Sequence, residues 1–169
     1  MMIKIGLISD THSTISPRTL RFLEPVDELW HAGDIGSVVL ADQLARFKPF
    51  RAVHGNIDDQ VIRRMFPETL RFSCEQVDVL MTHIGGSPGR YDRQIRNEIH
   101  SEPPGLFICG HSHILKVMFD KKNNFLYINP GAAGNQGFHH VCTALRFSID
   151  AAVILDLEVL EFERSAFYT

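Results

Sequence analysis

The chain contains no stretch approaching the ~18 consecutive apolar residues of a membrane-spanning helix, so it gives no candidate span. Cysteine is scarce. Cys74, Cys109 and Cys142 lie far apart and form no Cys-x-x-Cys. An odd, scattered set excludes a disulfide framework and a cysteine zinc cluster, and fits buried thiols in a reducing compartment. Cys109 sits in an apolar run and reads as core rather than as a nucleophile. Positive charge is not in excess: 17 Lys and Arg against 20 Asp and Glu leave a net −3. That excludes the broad basic field which duplex nucleic acid selects. Small anions remain eligible ligands, because metal ions can supply positive charge locally. Linkers, internal repeats and low-complexity tracts are absent. So are a Gly-x-Ser-x-Gly elbow and a Cys-xxxxx-Arg loop, which removes the usual covalent nucleophiles.

What is present fits one domain over residues 1–169, with 44% apolar residues and enough chain to bury a core. The apolar start, Met1 to Ile8, superficially resembles a short signal sequence. No small-x-small site precedes Asp10, and cleavage beyond the run would remove or expose Asp10 and His12. A cytoplasmic location is therefore expected.

Five hydrophobic runs each stop at a metal-binding side chain. Ile-Gly-Leu-Ile-Ser-Asp-Thr-His closes at Asp10 and His12. Leu-Trp-His-Ala-Gly-Asp closes at Asp34. Arg-Ala-Val-His-Gly-Asn closes at Asn56, and Val-Leu-Met-Thr-His at His83. Phe-Ile-Cys-Gly-His-Ser-His closes at His111 and His113. A lone His or Gly-Asp after a strand is ordinarily a turn or a cap. Five such endings, brought together along one sheet edge, are another matter. Seven ligands exceed one ion's needs and suit two ions sharing a bridging carboxylate. Gly33, Gly55 and Gly110 each precede a ligand, where glycine allows unusual backbone angles and close approach.

The order Asp10-x-His12, Gly33-Asp34, Gly55-Asn56, His83, Gly110-His111-x-His113 resembles the calcineurin-like metallophosphoesterases. The short chain and Asn129-Pro130-Gly131 resemble their small prokaryotic phosphodiesterase branch, and the non-catalytic retromer small subunit has a similar fold. The resemblance implies that Asp34 bridges two ions. Asp10, His12 and His113 complete one site; Asn56, His83 and His111 complete the other. It further implies phosphoester hydrolysis by a metal-bridging hydroxide. Mixed N and O ligands suit two divalent transition-metal ions, Mn first, with Fe, Zn, Ni or Co as alternatives.

Alternation of strands and helices through about residue 53 predicts parallel βαβ units. A strand is expected at 2–8, then a helix after Ser16-Pro17 burying Leu20 and Leu23. A strand to His31, a helix at 37–47 and a strand at 50–53 follow. The helix places Val38, Leu40, Ala41, Leu44 and Ala45 on its apolar face. Beyond, strands are expected at 68–73, 76–82, 106–109, 114–120, 125–129, 141–149 and 152–162, with one charged helix at 91–100. Two mixed sheets stacked face to face with helices outside accommodate both halves. That four-layer αββα sandwich is also what the resemblance implies.

The chain departs from the family in two places. Many members have Gly-Asn-His-Asp or Gly-Asn-His-Glu, whose histidine protonates the leaving group. Here Gly55-Asn56-Ile57-Asp58 supplies no proton at Ile57, and Asp58 is left to orient a ligand or water. After His83 the usual Gly-His is replaced by a glycine-rich loop ending in Arg90. Arg90 is expected to reach the substrate phosphate, and His54 to hydrogen-bond a phosphate or ligand. His31 reads as structural, His100 as exposed, and His139 and His140 as surface-loop residues. The expected partner is a small phosphodiester, with neither duplex nucleic acid nor membrane. The strand 153–162 offers an edge for a homo-oligomer. Competing readings are a phosphomonoesterase and a metal-poor scaffold that binds protein partners.

Overall fold

The computed structural model describes residues 1–168. It begins with β1 (Ile3–Ile8), α1 (Pro17–Leu23), β2 (Glu28–His31), α2 (Val38–Phe47) and β3 (Phe50–Ala52). The three strands are parallel, with Ile8 beside His31 and His31 beside Ala52. Two long strands, β11 (Val141–Asp150) and β12 (Val153–Glu163), add to the far side of β1. The first sheet thus has five strands in the order β12-β11-β1-β2-β3.

The second sheet is built from β4 (Thr69–Cys74), β5 (Val77–Thr82), β8 (Leu106–Ile108), β9 (Leu115–Asp120) and β10 (Phe125–Pro130). Its order is β4-β5-β8-β10-β9. The central strands β5, β8 and β10 are parallel, with Ile108 between Met81 and Ile128. A short ribbon of β6 (Gly86–Ser87) and β7 (Arg90–Tyr91) leads into α4 (Arg93–Ser101). The connector α3 (Gln60–Met65) precedes β4, and a 3₁₀ turn at Arg164–Ala166 follows β12.

Strand periodicity explains the layers. Successive residues face opposite sides of a sheet. In β8, Leu106 and Ile108 enter the core between the sheets, while Phe107 meets Ile95 and Ile99 of α4 on the outer face. In β1, Ile5 and Leu7 face inward and Ile8 joins the cluster containing Leu23, Leu40 and Leu44 of α1 and α2. Both faces of the central strands are covered, so these strands are mostly apolar, β8 wholly so. Trp30, fully buried, sits edge-on to Phe72 and Phe147, and its indole N–H donates to Glu28. The expected αββα sandwich is the observed fold.

Local choices support the helices. Ser16, Ser37, Asp59 and Asp92 cap the N-termini of α1 to α4 with side-chain oxygens. Such caps stabilise by about 0.5–2 kcal/mol each. The outlines differ from expectation in detail. In α1, Leu23 is buried but Leu20 only partly, its place within the helix taken by Thr19; in α2, Ala45 is exposed. Neither α3 nor the β6–β7 ribbon was anticipated. Six and two residues are too few to show a period, and both depend on tertiary contacts for stability. No helix among the described residues is long and apolar enough to cross a membrane.

Candidate metal centre

The parallel strands of the two sheets end at one common edge, and the expected ligands follow those ends. Asp10 comes two residues after β1, Asp34 three after β2, and Asn56 four after β3. His83 directly follows β5, and His111 and His113 follow β8. Main-chain bonds tie the edges together. Asp10 N–H donates to the Gly33 carbonyl at 3.0 Å, and Gly110 N–H to the His83 carbonyl at 3.0 Å. The His83 ring crosses between sheets and donates from Nδ1 to the Ala32 carbonyl at 2.7 Å.

Two groups of side chains result. Asp10, His12 and His113 form one, and Asp34, His83 and His111 the other; in each, the ligand atoms lie within 4.8 Å of one another. Both carboxylates stand where the groups meet. Asp34 Oδ2 is 3.2 Å from His83 Nε2 and 3.8 Å from His12 Nε2. Asp10 Oδ1 is 3.2 Å from His113 Nε2 and 3.9 Å from His83 Nε2. Asn56 Oδ1 lies 3.1 Å from His83 Nε2 and so extends the second group.

One atom tests whether these residues fit metal ions. Asp10 is fully buried, and its Oδ1 has no hydrogen-bond donor. A buried carboxylate oxygen without a partner is costly. It faces imidazole nitrogens, and the His83 hydrogen bond to Ala32 leaves Nε2 of that ring as the lone-pair donor. A divalent cation satisfies all of these atoms together, so the donor set fits.

The backbone is shaped around the site. Asp10, His12, Asp34, His111 and His113 all have φ between 45° and 68°. Asp and His tolerate the left-handed region better than most residues, yet it remains sparsely populated and strain there gathers at functional sites. The unusual angles therefore fall mainly on the ligands themselves. Gly55 and Gly110 serve close approach instead. A Cβ on Gly55 would lie 2.0 Å from Asp34 Oδ1, and one on Gly110 would lie 2.0 Å from Ser9 Oγ.

Electrostatics reinforce the reading. Burial pushes the Asp34 carboxyl upward, but the His83 hydrogen bond and charge and the Ile57 N–H outweigh it and hold it below the usual value. Burial disfavours protonated His83, but Asp34 and Asp10 more than compensate and raise it. The pocket thus attracts positive charge, and a proton on His83 would compete with a metal ion. Cys109, pushed up to about 11 by burial, stays a neutral thiol.

Other expected residues fall around the centre. His54 is half-buried and lines a cavity of about 130 Å³ beside Asn56 and His83. Arg90 lines a larger one of about 660 Å³ that begins at His111. Ile57 is 46% exposed next to Asn56, and its N–H donates to Asp34 Oδ1 at 3.0 Å. Asp58 is buried and belongs to neither candidate ligand group. Its carboxylate accepts the N–H groups of Ile35, Gly36 and Gly55, so it clamps the Asp34 loop to the Asn56 loop. Buried His31, its imidazole lowered to about 4 by burial, accepts from Gly33 N–H through Nδ1 and lies 2.8 Å from Thr11 Oγ1. It is a neutral strut beneath Asp34.

Sequence reasoning missed three supports. Arg63 of α3 donates to the carbonyls of Gly55, Asn56 and Asp58. Asn129 donates to the Gly110 carbonyl at 2.7 Å and so braces the Gly-His-Ser-His loop; its place in Asn-Pro-Gly was the clue. The third is His139, which was expected on the surface. It is half-buried, with Nδ1 3.1 Å from His113 Nδ1 and Nε2 2.9 Å from the Gly134 carbonyl. A carbonyl only accepts, so Nε2 carries the proton. Nδ1 of neutral His139 then accepts from His113, leaving His113 Nε2 bare toward Asp10. Partners of this kind typically change metal affinity 10–100-fold. His139→Ala is expected to weaken metal binding at the Asp10–His12–His113 group by about that factor, read by competition with a chelating dye. Unchanged affinity at both sites would refute the role.

Carboxylates and imidazoles gathered at the joined strand ends of an αββα sandwich define a candidate metal-binding centre. The chain belongs to the calcineurin-like phosphoesterase superfamily, whose domain model matches residues 3–152. It is 29% identical over 136 residues, 76% of each chain, to a probable metallophosphoesterase of Methanothermobacter thermautotrophicus. Among solved structures, Vps29 of Chaetomium thermophilum superimposes with a TM-score of 0.75 at 14% identity, covering 95% of this chain and 97% of that one. An archaeal phosphodiesterase does so with a TM-score of 0.68 at 18% identity, covering 95% of this chain and 100% of its own. Likenesses at such identities speak for the fold.

Proposed function

We propose that this chain is a two-metal phosphodiesterase acting on a small diester. The observation that carries the reading is Asp10 Oδ1, buried without a donor in one three-ligand group and 3.9 Å from His83 of the other. Bound divalent ions, Mn first, would supply Lewis-acid stabilisation of the phosphoryl oxygens and an activated water. Asp34 would bridge them, with Asp10, His12 and His113 on one side and Asn56, His83 and His111 on the other. Arg90 would hold a phosphate oxygen with its planar fork.

Two features favour a diester over a monoester. Cavities of about 660 Å³ and about 480 Å³ both adjoin His111 and Ser112, giving room for two alcohol arms. The archaeal phosphodiesterase of the same fold lends further support. Three scattered, buried thiols, Cys74, Cys109 and Cys142, favour the cytoplasm.

Protein reconstituted with Mn, Zn, Co or Ni is expected to hydrolyse a bis-aryl phosphate faster than the matching mono-aryl phosphate, and to melt at higher temperature than chelator-treated protein. Faster monoester cleavage would make it a phosphomonoesterase. Metal binding without hydrolysis of either would favour a scaffold, as would no binding at all.

A further inference from the structure

The cavity beside His111 is built for more charge than a diester carries. Arg90 of β7, Arg93 and Arg96 of α4 and Lys116 of β9 all line it, against one carboxylate, Asp92. Asp92 is already engaged, since its Oδ1 accepts from Gln94 N–H at the start of α4. The four cations make no ion pair among the described residues, where the arginine pairs belong to Arg51, Arg71 and Arg146. Such a concentration is unusual in a chain of net charge −3. It comes from three separate elements converging on one space, not from the solvated face of one helix. Arg93 and Arg96 are three residues apart and share a helix face. The floor is firm. Tyr127 is buried, and its hydroxyl donates to the Gly86 carbonyl at 2.8 Å. The neighbouring cavity, at His113, has no Lys or Arg; Ile114 lines both cavities, and Phe138 lines this one.

We infer that the substrate is an asymmetric diester whose one arm carries a second phosphate, bound by Arg93, Arg96 and Lys116 in the cavity beside His111. The inference rests on the phosphodiesterase reading for the scissile group alone. The volume of about 660 Å³ falls in the range of small-ligand sites and accommodates an arm of nucleotide size. The scissile phosphate lies at the ions with Arg90 beside it, and the remote phosphate lies beyond, toward α4. The bare arm leaves on the Phe138 side. Open cation sites of this kind steer and select anions, and their effect falls with salt.

The probe is a matched pair: a nitrophenyl ester of thymidylate, and the same ester with a phosphate on the remote sugar hydroxyl. The metal-loaded enzyme is expected to show a KM about tenfold lower for the second, the scale of a few exposed charge contacts acting together. In Arg93→Gln/Arg96→Gln/Lys116→Gln that advantage should vanish, so that the two esters give equal KM values. Calorimetry with thymidine bisphosphate and thymidine monophosphate reads the same preference without turnover. If plain diesters are cleaved and neither KM nor Kd favours the second phosphate, the inference is overturned and the phosphodiesterase reading stands. If no diester is cleaved yet the bisphosphate binds about tenfold tighter, and the triple variant loses this, the cation site stands and the phosphodiesterase reading falls.

Discussion

Asp34→Asn protein is expected to fold, to lose at least one of two bound metal ions, and to hydrolyse diesters about 10²–10³-fold more slowly, the range seen when one preorganised electrostatic stabiliser is lost. The substitution is nearly isosteric. The acceptor oxygen that takes the Ile57 N–H can remain in place, so the loop geometry survives. What disappears is the negative oxygen 3.2 Å from His83 and 3.8 Å from His12. An amide nitrogen there donates protons where a cation must bind. Asp34 also sits below its ordinary pKa, so the wild-type group is charged through the neutral range and no change of pH repairs the variant. Elemental analysis, thermal melting and turnover on one preparation decide the matter. Full metal content with wild-type turnover would sink the bridging role; a collapsed melt would show that the residue is structural instead.

The second large effect concerns the leaving group. With Ile57 where many family members have histidine, the rate is expected to depend steeply on leaving-group pKa, and alkyl diesters should lag aryl diesters. A missing general acid costs about 10²–10⁴-fold, most for poor leaving groups. The isoleucine side chain is half exposed beside Asn56, so a histidine there has room to reach outward. Ile57→His is expected to accelerate alkyl diesters selectively and to leave aryl diesters nearly unchanged. A flat dependence of the chemical step on leaving-group pKa would mean that another acid serves. His139 is a poor candidate, because both its ring nitrogens are engaged with His113 and Gly134. His54 is the better one. Its only side-chain hydrogen bond among the described residues is a long contact of 3.4 Å from Nδ1 to the Gly55 carbonyl.

Most of the centre was legible because parallel strands impose a rule. A buried parallel strand is an apolar run, its C-terminal end is where the run stops, and neighbouring strands stop at one edge. That candidate ligands at Asp10, Asp34, Asn56, His83, His111 and His113 would gather at one edge could therefore be read without knowing which sheet held which strand. Asp58 shows the limit. It stands two residues from Asn56 and carries the right chemistry, yet its side chain caps three backbone N–H groups of neighbouring loops. Residue type and spacing do not say which way a carboxylate turns in an irregular loop. The loop that became β6 and β7 is similar. Its glycines announced irregular backbone, but the pairing of Gly86 with Tyr91 that aims Arg90 at the cavity depends on the strands beneath.

The sequence by itself determined the alternating strands and helices, the sandwich, and the kinds of atoms gathered at its edge. Hydrophobic period and chain order suffice for these, because burial dominates folding and acts along short segments. Only the tertiary structure decided that Asp10 keeps one oxygen without a donor, and that His139 orients His113 from a loop 26 residues away. It alone also brought Arg93, Arg96 and Lys116 to one cavity. Contacts of this kind join residues that share no segment and no period, and hydrogen-bond direction is set over a few ångströms by the packing around it.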